Sequence, residues 1–79
     1  MPNKIELKME NCREYELTEK EAVVLNWIKE GKSSWEISKI LNCSKRVVDF
    51  HVSNIKDKLN ASSRAQAVAI GLQYQLIRF

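Results

Sequence analysis

Residues 33–59 read SSWEISKILNCSKRVVDFHVSNIKDKL, and this stretch decides the fold. Ser33 followed by Glu36 has the capping-box spacing: the serine oxygen takes an orphan N–H and the carboxylate returns to the serine's own N–H. Ile37, Ile40 and Leu41 then recur at helical spacing. Asn42-Cys43 leaves room only for a turn, and Asn is the non-glycine residue that best tolerates a left-handed backbone. Ser44 is placed to cap a second, longer helix, along which Val48, Val52, Ile55 and Leu59 form one apolar stripe. The spacing predicts a helix-turn-helix, the arrangement whose second helix enters the major groove of DNA.

Working outward, Thr18 and Glu21 form another capping box upstream, with Leu17 positioned to staple onto the first turn. Val24, Leu25 and Ile28 then face inward, Trp27 sits at the margin, and Gly31 ends that helix with a left-handed residue. Trp35 is expected to pack on this first helix, against Trp27, as an aromatic contact. Downstream, Asn60-Ala61-Ser62 reads as a loop, and Ser63 with Gln66 supplies a third capping box opening a last helix through about Leu76. Ala65, Val68, Ala69, Leu72 and Leu76 mark its apolar side. Gly71 at mid-helix costs up to about 1 kcal/mol, so a neighbouring helix is expected to come close there. The apolar side can close the core or meet a second copy, and the two are not exclusive. The expectation is an all-α, four-helix domain over residues 17–79, preceded by a linker or flexible arm over residues 1–16. Ile5, Leu7 and Met9 in that arm alternate like a short strand, with no partner strand downstream.

At 79 residues the chain is one small domain, and a chain this short buries only about 60% of its unfolded surface. Caps and turns therefore matter more than in a larger fold. No apolar run approaches the roughly 20 residues that span a bilayer, and no start resembles a signal peptide. Cys12 and Cys43 lack zinc-site partners and are too few for a disulfide framework, so they read as reduced thiols of an intracellular, cytoplasmic protein. Cys43 is expected to tuck into its turn as a small hydrophobe. The net charge of +3 divides unevenly, −2 over residues 1–21 and +5 over residues 22–79. A basic body fits a polyanionic partner.

Leu17-Thr18, Glu21, Val24-Leu25, Gly31, Glu36-Ile37, Leu41, Ser44, Val48, His51, Asn54-Ile55, Lys58-Leu59, Arg64 and Ala67-Val68 resemble, in order and spacing, the LuxR-type (GerE-like) DNA-binding domain. Trp27, Gly31-Lys32-Ser33-Ser34-Trp35-Glu36-Ile37 and Phe50-His51 look most like its quorum-sensing branch. The fourth region of a sigma factor shares much of this pattern, but the Trp27…Trp35 signature argues against it. The resemblance implies four helices, the third for recognition and the fourth for dimer contact, in a bacterial transcriptional regulator that binds an inverted-repeat operator. It implies duplex DNA, a second copy and RNA polymerase as partners, and no cofactor, membrane or small-molecule ligand for this stretch. Quorum-sensing relatives usually carry an acyl-homoserine-lactone-binding domain before this one, so the chain reads either as an excised C-terminal domain or as a free-standing regulator.

With the apolar stripe of the recognition helix inward, its outward face holds Arg46, Asp49, Phe50, Ser53 and Lys56-Asp57. In the family, the positions of Asp49, Phe50 and Ser53 point at base edges, and Lys58 matches a phosphate contact. Lys45 and Arg46, beside the helix N-terminus, suit phosphates; Val47 and Lys56 complete the candidate DNA-binding set. Arg64, Ala65, Val68, Ala69 and Leu72 form the implied dimer interface. Two residues depart from the pattern. Val47 stands where Thr is frequent and loses a phosphate-bonding hydroxyl. Asp49 stands where relatives are commonly basic; it can accept from cytosine N4 or pair with Arg46 or Lys45. Phe50 can touch a thymine methyl or pack beneath the first helix. These departures also admit a second reading, an interaction module with impaired DNA contact that pairs with and modulates a related regulator. No nucleophile–base pair, phosphate loop or metal cluster supports an enzyme, and His51, the single histidine, reads as structural or backbone-contacting.

Overall fold

Among the described residues, each of four helices starts on a hydroxyl and stops on a left-handed residue. The computed structural model describes residues 15–78, so Ile5, Leu7, Met9 and Cys12 lie outside the described residues. Helices α1 (Glu19–Lys29), α2 (Ser34–Leu41), α3 (Lys45–Leu59) and α4 (Arg64–Gln73) follow one another with short connections. Their N-caps are Thr18, Ser33, Ser44 and Ser63, and each hydroxyl accepts from the N–H three residues on. Thr18–Glu21 and Ser33–Glu36 close as full capping boxes. The third box departs from expectation: the Gln66 amide oxygen accepts from the Ser62 N–H and hydroxyl instead of from Ser63.

At the other ends, Gly31 (φ 89), Asn42 (φ 56), Asn60 (φ 54) and Gln75 (φ 60) turn the chain left-handed. The N–H just beyond each reaches back five residues to an orphan carbonyl: Lys32 to Trp27 at 3.1 Å, Cys43 to Ser38 at 2.9 Å, Ala61 to Lys56 at 2.8 Å and Leu76 to Gly71 at 2.7 Å. Asn tolerates that conformation well. Gln75 has no such preference, which is why α4 stops at Gln73, three residues short of the expected Leu76, without a sequence signal. What holds the turn is burial of Ile77, folded back beneath α4.

The core consists of Val24 and Leu25 from α1, Ile37 from α2, Val48, Val52, Ile55 and Leu59 from α3, Ala67 from α4, and Ile77. The α3 helix is central, packing on α1, α2 and α4, while α1 also packs on α4. Tyr15 stacks on Tyr74 with ring centroids 4.8 Å apart, so the packed body reaches back to that residue.

Three expectations fail on α2 and its turn. Trp35 is 59% exposed and Ile40 44% exposed, because the helix turns Ser34, Ile37 and Ser38 inward and Trp35, Glu36, Lys39 and Ile40 outward. At 100° per residue, Trp35 cannot share a face with Ile37. Instead of meeting Trp27, its ring lies 5.3 Å from the Lys39 ammonium. Cys43 is exposed rather than tucked in.

The α4 helix is rotated relative to the expected apolar side. Ala67 and Gly71 face the core, Ala65 and Ala69 face solvent, and Val68 and Leu72 lie half-buried between them. The close approach anticipated at Gly71 is present, and α1 makes it. A Cβ there would lie 2.9 Å from Leu25 Cδ2 and 3.2 Å from Ile77 Cγ1. Overpacking of this kind costs about 1–3 kcal/mol, against a helix-propensity gain of at most ~1 kcal/mol. Gly71→Ala should therefore destabilise the domain by about 1 kcal/mol, lowering its melting temperature by roughly 4–8 °C in thermal circular dichroism; an unchanged or raised midpoint would show that Leu25 yields freely.

Candidate nucleic-acid interface

Burial of Val48, Val52, Ile55 and Leu59 leaves the opposite side of α3 to solvent. Along it Arg46, Val47, Phe50, Ser53 and Asp57 are exposed, and Asp49 and Lys56 half-buried. Phe50 is 62% exposed, with its ring 5.9 Å from that of His51, so it does not pack beneath α1. The helix opens with Lys45 and Arg46 and carries no acidic residue in its first turn. Two cations therefore stand beside a helix N-terminus, whose free N–H groups and dipole attract anions.

Asp49 is one of two acidic residues on this face, with Asp57, and two cations hold it. Lys45 Nζ lies 2.9 Å from Oδ2, and the Arg64 guanidinium 3.6 Å from Oδ1. Arg64 also donates to the Ser34 hydroxyl, so α2, α3 and α4 meet at this carboxylate. The Lys45 hydrogen bond, followed by that of Ser34, keeps the Asp49 carboxyl below its ordinary range; the charges of Lys45 and Arg64 add to this against slight desolvation. Pairing with Lys45, four residues back, was one of the options open from sequence. The Arg64 contact was not, because the two residues lie fifteen positions apart on different helices. Its guanidinium, expected at a dimer interface, is engaged within the domain.

Lys58 is engaged as well. Its ammonium lies 2.7 Å from Glu21 Oε1, and the side chain of Glu21 is only 5% exposed. The same oxygen accepts from the Thr18 N–H at 3.0 Å. One carboxylate thus caps α1 and anchors the C-terminal part of α3. Burial pushes the Glu21 carboxyl up, but the hydrogen bonds from Lys58 and Thr18, with the Lys58 charge, hold it below its ordinary 4.5.

His51 is half-buried beside Val23, Val24, Leu41 and Val47, and its Nδ1 has no hydrogen-bond partner among the described residues. Among those residues no three His, Cys, Asp or Glu side chains gather as a metal site would require. None of their helices is long and apolar enough to cross a membrane.

This geometry is a four-helix core whose central helix, α3, keeps a basic-tipped side in solvent. Residues 15–70 match the model of the family described as bacterial regulatory proteins, luxR family. The chain belongs to the LuxR family. It is similar to the transcriptional activator protein LuxR of Aliivibrio fischeri, with 52% identity over 54 residues, 68% of this chain and 22% of the relative. The transcriptional activator protein VanR of Vibrio anguillarum is 52% identical over 52 residues, 66% of this chain and 22% of the relative. The HTH-type quorum sensing-dependent transcriptional regulator RpaR of Rhodopseudomonas palustris is 44% identical over 66 residues, 84% of this chain and 27% of the relative. The chain thus covers between 22% and 27% of the length of these relatives. What it shares with them is the LuxR-family DNA-binding domain of transcriptional regulators. The four-helix, all-α expectation agrees with the described structure.

The pairing of buried Glu21 with partly exposed Lys58 gives this LuxR-family domain an acid-sensitive joint. Since the folded-state value is depressed, the pair's stabilisation is complete above about pH 4.5 and fades as pH falls through the lower folded value. Glu21→Gln should cost ~1–3 kcal/mol near neutral pH. In urea titrations the gap from wild type should narrow as pH drops below 4.5; a gap independent of pH would mean that the carboxylate's charge does not contribute.

Proposed function

We propose that this LuxR-family domain binds an inverted-repeat operator as a dimer, with α3 in the major groove of each half-site. The observation that carries the reading is the pairing of opposites on α3: an apolar stripe closed on three sides, and an unburied Arg46–Phe50–Ser53 face led by two cations at the helix start. In this reading Phe50 and Ser53 face base edges, Arg46 and Lys45 hold phosphates, and Val47 and Lys56 flank the groove. Lys58 contributes mainly by anchoring α3 to α1, since its ammonium is already bound to Glu21.

The dimer contact falls to the side of α4 that the core leaves open, where Ala65 and Ala69 are exposed and Val68 and Leu72 half-covered. Small side chains there let two helices approach closely. The outward face of α2 supports a different partner. Trp35 and Ile40, flanking Lys39, are large apolar groups left in solvent on a helix without a role in that dimer, which suits RNA polymerase bound beside the operator. That the relatives LuxR and VanR are transcriptional activators is in keeping with such a contact.

Binding measured over a series of salt concentrations tests the proposal. Arg46→Ala should weaken binding to every duplex by a similar factor and reduce the salt slope by about one; an unchanged slope would remove Arg46 from the phosphate contacts. Ala69→Glu should weaken binding to the inverted repeat while leaving single half-site affinity as it was, and loss of neither would move the dimer contact off α4. Failure of the unaltered domain to bind any duplex would favour the interaction-module reading.

A further inference from the structure

An aspartate on the groove-facing side of a DNA-reading helix requires an explanation. Duplex DNA carries one negative charge about every 1.7 Å, so a bare carboxylate there would oppose binding. Three observations define what Asp49 can do. Its side chain is 43% exposed, so its oxygens still reach outward from α3. The cations on either side of it, Lys45 and Arg64, leave the group of three with a net positive charge, so the carboxylate approaches the phosphates covered. Its direction is fixed from outside its own helix, because Arg64, at the start of α4, is bound simultaneously to Ser34 of α2.

An ionised carboxylate only accepts hydrogen bonds, and its two oxygens offer about four sites. Lys45 hydrogen-bonds one oxygen, Ser34 takes a further place, and Arg64 stands 3.6 Å from Oδ1 as an ion pair, so acceptor capacity remains. In the major groove the exocyclic amino donors are cytosine N4 and adenine N6, and adenine sets its N7 acceptor next to the donor, where it repels the second carboxylate oxygen. Cytosine is the base this arrangement favours.

Resting on the duplex-DNA reading above, we infer that Asp49 is a specificity-determining residue that accepts from the N4 amino group of one cytosine in each half-site, with Arg64 as the positioning residue that aims it through the Ser34–Arg64–Asp49 junction. Arg64 thereby couples the start of α4 to base choice on α3.

The test is selection of bound duplexes from a random library, run in parallel with the wild-type chain, Asp49→Ala, Asp49→Asn, Arg64→Met and the Asp49→Ala/Arg64→Met double variant, with melting temperatures recorded for each. Wild type should enrich cytosine at one position per half-site, by about tenfold or more over other bases. Asp49→Ala should lose preference at that position alone, and its overall affinity should be equal or higher because a negative charge has left the groove. Asp49→Asn should shift the same position to adenine, since an amide pairs with N6 and N7 together. Arg64→Met should broaden that position and add nothing once Asp49 is Ala, the signature of two residues acting as one unit. Should Arg64→Met not fold, Arg64→Lys, which keeps the charge but not the fork, should broaden it partially. A merely structural Arg64 would lower melting temperature and weaken all sequences alike, with base preference intact, and that result overturns its positioning role. An Asp49→Ala preference identical to wild type overturns the inference while leaving DNA binding standing. No enrichment by wild type overturns the DNA-binding reading and this inference with it.

Discussion

Burial of a single stripe on α3 governs the arrangement of this domain. Val48, Val52, Ile55 and Leu59 occupy the middle of the core and are contacted from α1, α2 and α4. Each such side chain contributes roughly 1.5–3 kcal/mol relative to exposure, so together they are comparable to the whole net stability of a small domain. A helix closed on one side at that cost cannot rotate about its axis without exposing the stripe. The orientation of Arg46, Phe50 and Ser53 is therefore a consequence of core packing, not of contacts those residues make.

The remaining structure sets where that helix begins, ends and points. A chain of 79 residues cannot rely on core volume alone, and polar groups at the element ends do much of the specifying. The Glu21 carboxylate is the plainest case, closing the cap of α1 while gripping Lys58 near the end of α3. Arg64 does the equivalent near the start of α3, through Asp49 and Ser34. The α3 helix is thus tied near both ends to other helices by charged side chains. Such ties resist tilting of α3, while the apolar stripe resists its rotation.

Small residues decide the surfaces left over. On α4, Ala67 and Gly71 let Leu25 come so close that a methyl group would collide, and this draws one side of the helix against α1 while Ala65 and Ala69 remain outside. On α2, Ser34 and Ser38 take inward positions beside Ile37, with the Ser38 hydroxyl satisfied by the Trp35 carbonyl at 2.6 Å. A helix that packs through serines has its bulk outside, and Trp35 and Ile40 are that bulk. Two apolar surfaces, on α2 and α4, are consequently left in solvent apart from the exposed Arg46–Phe50–Ser53 side of α3.

Local chemistry in the sequence was sufficient for the helices, because their signals are short-range. Caps at Thr18, Ser33, Ser44 and Ser63, left-handed stops at Gly31 and Asn42, and the α3 stripe all act within one or two turns of chain. The outward position of the candidate reading residues followed from the same periodicity, and so did the Lys45–Asp49 pair. Tertiary structure alone decided what depends on contacts between distant positions. Periodicity cannot distinguish an Ile or Ala facing the core from one facing solvent when both flanks of a helix are apolar, so the exposure of Ile40 and the rotation of α4 were illegible. The stop at Gln75 depends on Ile77 finding a buried place beneath Gly71. The commitments of Lys58 to Glu21 and of Arg64 to Asp49 join residues 37 and 15 positions apart; a long cation carries no mark in sequence of which carboxylate the fold will set beside it.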